Sequence, residues 1–336
     1  MNICVLGAGS WGIALTKLLT VNEHKLTVWS VDPEEIQMLK TNCEHKTKLP
    51  GVILPGSVEF TTDIKDAMEG AELFVMAVPS PFVRVVAEKA APYVPEGGLI
   101  VSVAKGIEES TLFRMSEIIK DCIPQCKIAV LSGPSHAEEV GKLMPTTVVV
   151  GSEDKEIAKL VQDVFMTDFF RVYTSPDIIG IELGGALKNV IALAAGIADG
   201  LGCGDNAKAA LITRGIVEIQ ALGTKMGGHA ETFSGLSGIG DLIVTCASVH
   251  SRNRRAGILI GQGMKYADAM NEVKMVVEGV YSAKAAKALA DKYEVDMPIV
   301  EMVNRILFED YPASEALHGL LNRDRKKEVS NLSWSK

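Results

Sequence analysis

A short apolar segment at the start of the chain runs directly into a glycine-rich turn. Residues 2–6 form a candidate strand, and a helical segment continues from the turn to Thr20. Such a turn lets backbone approach a pyrophosphate, which also meets the unpaired N–H groups of the helix. The feature predicts that the chain begins with a βαβ unit that binds a dinucleotide. The sequence of the turn is GAGSWG, with Gly7, Gly9 and Gly12 at the spacing of that motif.

Further apolar runs alternate with amphipathic segments as far as Ser175. This alternation predicts a parallel sheet with helices on both faces. The other candidate strands are residues 26–30, 73–78, 99–104, 127–133, 146–152 and 170–174.

Beyond Ser175 the pattern changes to long helical segments separated by glycine-rich loops. We therefore predict an α/β Rossmann-type domain at residues 1–175, an all-helical domain at 176–330 and a flexible tail at 331–336. A length of 336 residues agrees with two domains. The candidate helices are residues 178–197, 206–226, 254–262, 280–292 and 298–307.

Composition limits the classes of partner. A net charge of −8 argues against general binding of nucleic acid or anionic membranes. No uncharged run reaches the ~20 residues of a membrane span, so we predict a cytoplasmic protein. The six cysteines lack a second Cys or His pair that would complete a zinc set, which predicts free thiols and no metal site.

The end of the second strand bears on the choice of cofactor. Asp32 follows that strand at the position where a carboxylate binds the adenosine ribose of NAD and repels the 2′-phosphate of NADP. No Lys or Arg lies between Leu26 and Ile36. We predict NAD(H) as the preferred cofactor, with NADP(H) as the alternative. Asp32 has a second interpretation, as the cap of a helix that begins at Pro33.

Two segments that follow strands carry polar groups suited to an anionic substrate. Lys105 ends a strand at the edge where open sheets bind ligands, and its alternative is a solvated surface position. Ser135 comes shortly after Gly133 at the end of another strand. It either contacts a ligand or caps a helix, because Ser135 and Glu138 have capping-box spacing.

Two further segments lie in the helical half. Lys188 interrupts the apolar sequence ELGGALKNVIALAAG, whose own helical face offers it no carboxylate. A desolvated lysine acts as a general acid or base near neutral pH, whereas a lysine that reaches solvent along the helix does not. Asp241 lies at a predicted helix start in a glycine-rich loop. The run SRNRR follows, with Ser251, Arg252 and Asn253, and forms either a phosphate site or a solvated cluster.

Together these motifs resemble the bacterial NAD(P)-dependent glycerol-3-phosphate dehydrogenases. The resemblance covers nearly the whole chain and implies a helical domain like that of 6-phosphogluconate dehydrogenase, with the active site between the two domains. It implies hydride transfer between NAD(P)(H) and glycerol 3-phosphate or dihydroxyacetone phosphate, supplying glycerol 3-phosphate for phospholipid synthesis. The matching segments are GAGSWG, AKGIE, SGPSHAEE, ELGGALKNVIALAAG, GLSGIGDLIVTC and SRNRRAG.

The resemblance also assigns roles to individual residues. Lys188 corresponds to the proton acceptor in oxidation. Val31 stands where many members carry a basic residue, which agrees with a preference for NAD. The implied substrate contacts are Lys105, Gly133, Ser135, Asp241, Ser251, Arg252 and Asn253. The implied cofactor contacts are Ser10, Trp11, Lys105, Ala137, Arg252, Val276 and Glu278, which join Gly7, Gly9, Gly12 and Asp32.

The sequence is also compatible with two other functions. One is another 3-hydroxy-acid dehydrogenase of the same architecture, which uses a related lysine–asparagine helix. The other is a non-catalytic NAD(H)-sensing module, which has no need of Lys188 or Lys105. We expect a homodimer, because most soluble oligomers are symmetric pairs.

Overall fold

The computed structural model describes residues 1–325 and 327–328. Its sheet has eight strands in the order β3-β2-β1-β4-β5-β6-β7-β8. The predicted flexible tail at 331–336 lies outside the described residues. The strands are β1 Asn2–Leu6, β2 Lys25–Trp29, β3 Glu59–Thr61, β4 Leu73–Met76, β5 Leu99–Ser102, β6 Lys127–Ser132, β7 Thr146–Gly151 and β8 Phe170–Ser175.

One strand pair departs from the predicted parallel sheet. β6 and β7 are antiparallel, with Leu131 opposite Val150, whereas the other neighbouring pairs are parallel. A parallel connection needs a long crossover that usually contains a full helix. The connection at residues 133–145 contains only the four-residue helix Ala137–Val140, so the chain turns back instead.

Helices cover both faces of the sheet, and side chains alternate between two cores along each central strand. In β1, Ile3 and Val5 pack into the core beneath the first, second and seventh helices. Cys4 and Leu6 pack on the opposite face. The helices of this half are α1 Ser10–Leu19, α2 Pro33–Asn42, α3 Ile64–Met68, α4 Val83–Ala90, α5 Met115–Cys122, α6 Ala137–Val140 and α7 Lys155–Phe165.

The part of the chain described after β8 contains helices and no strands. This organisation confirms the predicted fold class, a Rossmann-type α/β portion followed by an all-helical portion. The helices are α8 Ile178–Gly200, α9 Asp205–Lys225, α10 Ala230–Phe233, α11 Asp241–Ala247, α12 Arg252–Gly261, α13 Tyr266–Val273, α14 Glu278–Lys292, α15 Pro298–Phe308 and α16 Ala313–Leu321.

Helix α8 is the central element of the helical half. By length and composition it is the one described helix that could cross a membrane by itself, but 94% of its apolar window is buried inside the protein. It is therefore a core helix. Glycines let α12 pack directly on its backbone: a Cβ at Gly196 would lie 2.2 Å from the Arg254 carbonyl oxygen, and one at Gly257 would lie 2.3 Å from that of Leu193.

A buried carboxylate on α8 fixes this helix against the α/β half. Glu182 accepts hydrogen bonds from the Ser116 backbone N–H at 2.8 Å and from the Ser116 hydroxyl at 2.6 Å. Arg114 donates to the same carboxylate at 2.6 Å. Because all three donors lie at the start of α5, the position of α8 relative to the sheet is determined by specific hydrogen bonds.

Candidate active site

A cleft of about 740 Å³ lies where the carboxyl ends of four parallel strands meet the helical half. Residues that follow β1, β2, β4 and β5 form one wall, and residues of α8, α11 and α12 form the other. Open α/β sheets bind their ligands at this edge. The geometry is that of a nucleotide cleft closed by a second layer of helices.

The glycine turn forms one end of this cleft. Gly7 has a φ of +123°, which a side chain would strain, and a Cβ at Gly12 would lie 2.0 Å from the Gly7 carbonyl oxygen. A Cβ at Gly9, by contrast, would meet no protein atom within 4 Å and would fill the cradle. No side chain caps the N-terminus of α1, so its first N–H groups are available to an anion. Ser10 and Trp11 line the cleft beside them.

Lys188 lies on the opposite wall and is hydrogen-bonded through its ammonium group. Nζ donates to the Thr245 hydroxyl at 2.7 Å and lies 3.0 Å from Asp241 Oδ1. The Lys105 ammonium donates to the other oxygen of the same carboxylate at 2.6 Å. One carboxylate thus holds two lysines, and it comes from α11 rather than from the helix of Lys188.

These contacts set the charge states of the cluster. Burial lowers the pKa of Lys188 to about 8, although the Asp241 carboxylate acts in the opposite direction. Burial alone would raise the pKa of Asp241, but the two ammonium groups outweigh it and hold this pKa below its ordinary value. Lys188 therefore exchanges a proton near neutral pH, while Asp241 stays ionised. The interpretation of Lys188 as a lysine that reaches solvent is wrong, because the residue is only 6% exposed.

Comparison with known proteins gives the family. Residues 2–158 match the model of the NAD-dependent glycerol-3-phosphate dehydrogenase N-terminus, and residues 177–318 match that of its C-terminus. A glycerol-3-phosphate dehydrogenase [NAD(P)+] of Agathobacter rectalis is 61% identical over 333 residues, which cover 99% of each chain. The chain belongs to the NAD-dependent glycerol-3-phosphate dehydrogenase family.

Two further relatives extend the match. A glycerol-3-phosphate dehydrogenase [NAD(P)+] of Fusobacterium nucleatum is 55% identical over 336 residues, 99% of this chain and 100% of the relative. The crystal structure of a Coxiella burnetii glycerol-3-phosphate dehydrogenase superposes with a TM-score of 0.93 at 36% identity, covering 96% of this chain and 99% of the other.

At the end of the cleft beyond β2, the interpretation of Asp32 as a helix cap is confirmed. Its carboxylate accepts from the Glu34 backbone N–H at 2.9 Å and caps α2, and the residue also lines the cleft. The local sequence contains no basic residue, but the fold brings Lys48 to this end from the segment after α2. The sequence argument for NAD therefore missed one cation.

Of the two interpretations of Ser135, the helix cap is wrong. Helix α6 begins at Ala137, with His136 at its N-cap and no side-chain cap bond. The Ser135 hydroxyl donates instead to the Gly133 carbonyl at 2.9 Å. Lys105 donates to the same carbonyl at 3.0 Å, so the Gly133 backbone binds the lysine. Gly133 itself is not among the residues that line the cleft.

The three arginines of the SRNRR run have different surroundings. Arg252 lines the cleft, whereas Arg254 donates to Asp199 Oδ2 at 2.7 Å and Arg255 is exposed outside it. Ser251 caps α12 by accepting from the Arg254 backbone N–H at 3.2 Å. Of the three arginines, Arg252 is the one placed to bind an anion in the cleft.

Two buried amides connect α8 to its neighbours. Asn253 donates to Asn189 Oδ1 at 2.9 Å, and the Gly279 backbone N–H donates to Asn253 Oδ1 at 2.8 Å. These hydrogen bonds link α8, α12 and α14. Asn253 also lines the cleft, so its amide has a structural contact beside the cleft wall.

The remaining predicted cofactor contacts lie on the cleft wall. Ala137, Val276 and Glu278 all line it. The Glu278 carboxylate accepts from the backbone N–H of Ser80 at 3.1 Å and from its hydroxyl, which joins α14 to the loop after β4. Burial raises the pKa of Glu278 despite these bonds.

Sequence reasoning missed several residues that the fold brings to the site. Thr245 lies four residues after Asp241 on α11, and this helical spacing was the available signal. The rings of His136 and His250 lie 6.0 Å apart on the cleft wall. Burial, and to a smaller extent the charge of Lys188, lowers the pKa of His136. In the described residues, 1–325 and 327–328, no group of His, Cys, Asp and Glu side chains is placed to hold a metal ion.

Proposed function

We propose that the chain interconverts sn-glycerol 3-phosphate and dihydroxyacetone phosphate with NAD(H) or NADP(H), and that Lys188 transfers the proton. The observation that carries the proposal is the buried Lys188–Asp241–Lys105 cluster in a cleft that begins at a glycine cradle. A nucleotide-sensing module would have no use for this cluster.

The bound nicotinamide supplies or accepts the hydride at C2 of the substrate. Lys188 in its amine form takes the proton of the C2 hydroxyl during oxidation. In reduction its ammonium form returns that proton to the developing alkoxide and stabilises the negative charge. Asp241 and Thr245 fix the orientation of the lysine, since both bond its Nζ.

The substrate phosphate is held at the other side of the cleft. Arg252 offers a planar donor set suited to phosphate oxygens. Lys105, Ser135, Ser251 and Asn253 join it as proposed substrate contacts. Binding of the phosphate, which does not react, positions the C2 carbon for transfer. Gly7, Gly9 and the start of α1 would hold the cofactor, with Ala137, Val276 and Glu278 on the facing wall.

The experiment measures NADH oxidation by the purified protein with and without dihydroxyacetone phosphate. We expect substrate-dependent oxidation, and a loss of roughly 10²–10⁴-fold in turnover for Lys188→Ala with NADH binding retained. Lys208→Ala is the matched control, because Lys208 pairs with Asp199 outside the cleft. A near-normal turnover number for Lys188→Ala would refute the assignment.

A panel of 3-hydroxy acids and their keto forms tests the other dehydrogenase function. Arg252 favours the phosphorylated substrate, because a guanidinium in the cleft suits a dianion better than a small monoanion. Turnover of a 3-hydroxy acid in preference to glycerol 3-phosphate would favour the alternative.

The finer features of the proposal concern organisation and location. We infer domains at residues 1–175 and 176–330, a homodimer, and a cytoplasmic enzyme that supplies glycerol 3-phosphate for phospholipid synthesis. Sedimentation of the purified protein tests the dimer, and a single species at monomer mass would exclude it.

A further inference from the structure

An ion pair lies at the adenosine end of the cleft and takes no part in the chemistry at Lys188. Glu35 belongs to the first turn of α2, and Lys48 belongs to the segment that follows this helix. Both line the cleft together with Ser30 and Asp32, directly beyond the end of β2. In this fold the 2′ position of the adenosine ribose lies at that strand end.

The carboxylate of the pair is held more firmly than the ammonium group. Glu35 Oε2 accepts from the Ser30 hydroxyl at 2.7 Å, and Oε1 accepts from Lys48 Nζ. His45 Nε2 lies 3.4 Å from the same Oε1. The Glu35 side chain is 12% exposed and that of Lys48 is 38% exposed. Lys48 is thus the more exposed member of the pair, and its ammonium group has donors left for a second anion.

His45 contacts both members of the pair as a neutral side chain. Its Nδ1 accepts from the Lys48 backbone N–H at 3.2 Å, which leaves the ring proton on Nε2, toward Glu35. Burial lowers the pKa of His45, and the neutral ring keeps both of these contacts near pH 7. Among the cleft-lining residues of the segment that follows β2, Asp32 and Glu35 therefore carry negative charge and Lys48 carries positive charge.

We propose that Glu35 and Lys48 together set the discrimination between the 2′-hydroxyl of NAD(H) and the 2′-phosphate of NADP(H). Lys48 supplies the cation that binds the phosphate. Glu35 opposes it in two ways, by holding the ammonium group and by repelling the phosphate. The excess of one negative charge favours NAD(H), while Lys48 keeps NADP(H) acceptable. The inference rests on the proposed function only in placing the adenosine ribose beyond β2.

The test uses titration calorimetry with 2′,5′-ADP and with 5′-AMP, which differ only by the 2′-phosphate. We expect Lys48→Gln to weaken 2′,5′-ADP binding about tenfold, as the loss of one charge-assisted contact, and to leave 5′-AMP binding within about twofold. We expect Glu35→Gln to strengthen 2′,5′-ADP binding about threefold to fivefold, again with 5′-AMP binding nearly unchanged. Lys48→Arg retains the cation and should retain 2′,5′-ADP binding.

Two control variants remove the same charges nearby. Lys40→Gln and Glu34→Gln change exposed positions of α2 that do not line the cleft, and neither should separate the two nucleotides. Equal effects of Lys48→Gln on both ligands, or weaker 2′,5′-ADP binding in Glu35→Gln, would overturn the proposal. Its failure is distinguishable from that of the proposed function. If only the discrimination proposal fails, dihydroxyacetone phosphate is still reduced; if the proposed function fails, NADH is not oxidised when dihydroxyacetone phosphate is added.

Discussion

Replacement of Asp241 by Asn tests how the site sets the proton affinity of Lys188. In oxidation Lys188 must be neutral to accept a proton, so kcat/KM should rise with pH through about 8 and then level off. In reduction the lysine must carry the proton, so kcat/KM should fall as pH rises through the same range. The Asp241 carboxylate raises the pKa of Lys188, and therefore Asp241→Asn should move both profiles to lower pH.

The size of the displacement follows from the geometry. A unit charge 3.0 Å from the ammonium contributes at most about 5–6 kcal/mol at an effective dielectric constant of about 20. That limit corresponds to roughly four pH units. Lys105 shares the carboxylate at 2.6 Å, and water in the open cleft screens the pair. We therefore expect a displacement of about one to two pH units.

The assay follows NADH absorbance in both directions from pH 6 to pH 10 at constant ionic strength. Asp199→Asn is the matched control, because it removes the same charge from a half-buried ion pair outside the cleft and should leave both profiles in place. Profiles of Asp241→Asn that stay fixed, or that move to higher pH, would refute the reasoning that this carboxylate tunes Lys188.

Three further predictions concern stability, each measured by urea denaturation. Burial raises the pKa of Glu218 to about 7. The contribution of Glu218 to the free energy of unfolding is therefore fully present below pH 4.5 and is lost as pH rises through 7. We expect Glu218→Gln to remove this pH-dependent loss, which amounts to roughly 3 kcal/mol. Arg114→Met should cost about 3–5 kcal/mol, because the buried Glu182 carboxylate loses the cation that offsets its burial, and a cost under 1 kcal/mol would contradict this. Gly196→Ala should cost about 2–4 kcal/mol by contact with α12, whereas Gly319→Ala, which meets no atom within 4 Å, should not destabilise.

The sequence predicted the strand–helix alternation well because burial on both faces leaves continuous apolar runs. β1 begins and ends at the predicted residues, and the other predicted strands agree to within two residues at each end. β3 was missed, since Glu59–Thr61 is short and only Phe60 is buried in it. The antiparallel β6–β7 pair was also missed, because strand direction depends on the path of the connection and not on side-chain alternation.

Most candidate site residues could be found from local patterns, but their partners could not. Lys188 stands out as a charge in an apolar helix, while its carboxylate lies on α11, more than fifty residues away along the chain. Lys48 has no local signal at all, since only the return of the segment after α2 brings it to the end of the cleft beyond β2. At Ser135 the local pattern was misleading. The capping-box spacing indicated a helix cap, but the hydroxyl donates to the backbone carbonyl of Gly133 instead.

The arrangement of one carboxylate between two lysines suits a reaction that runs in both directions. Burial without Asp241 would leave Lys188 neutral and unable to return a proton during reduction. Asp241 without Lys105 would bind the Lys188 ammonium more strongly and hinder its deprotonation during oxidation, since Lys105 lowers the pKa of Lys188. With all three groups the pKa lies at about 8, where both forms are populated near neutral pH. When Lys188 is protonated, as reduction requires, the cluster carries a net positive charge that favours the alkoxide developing at C2.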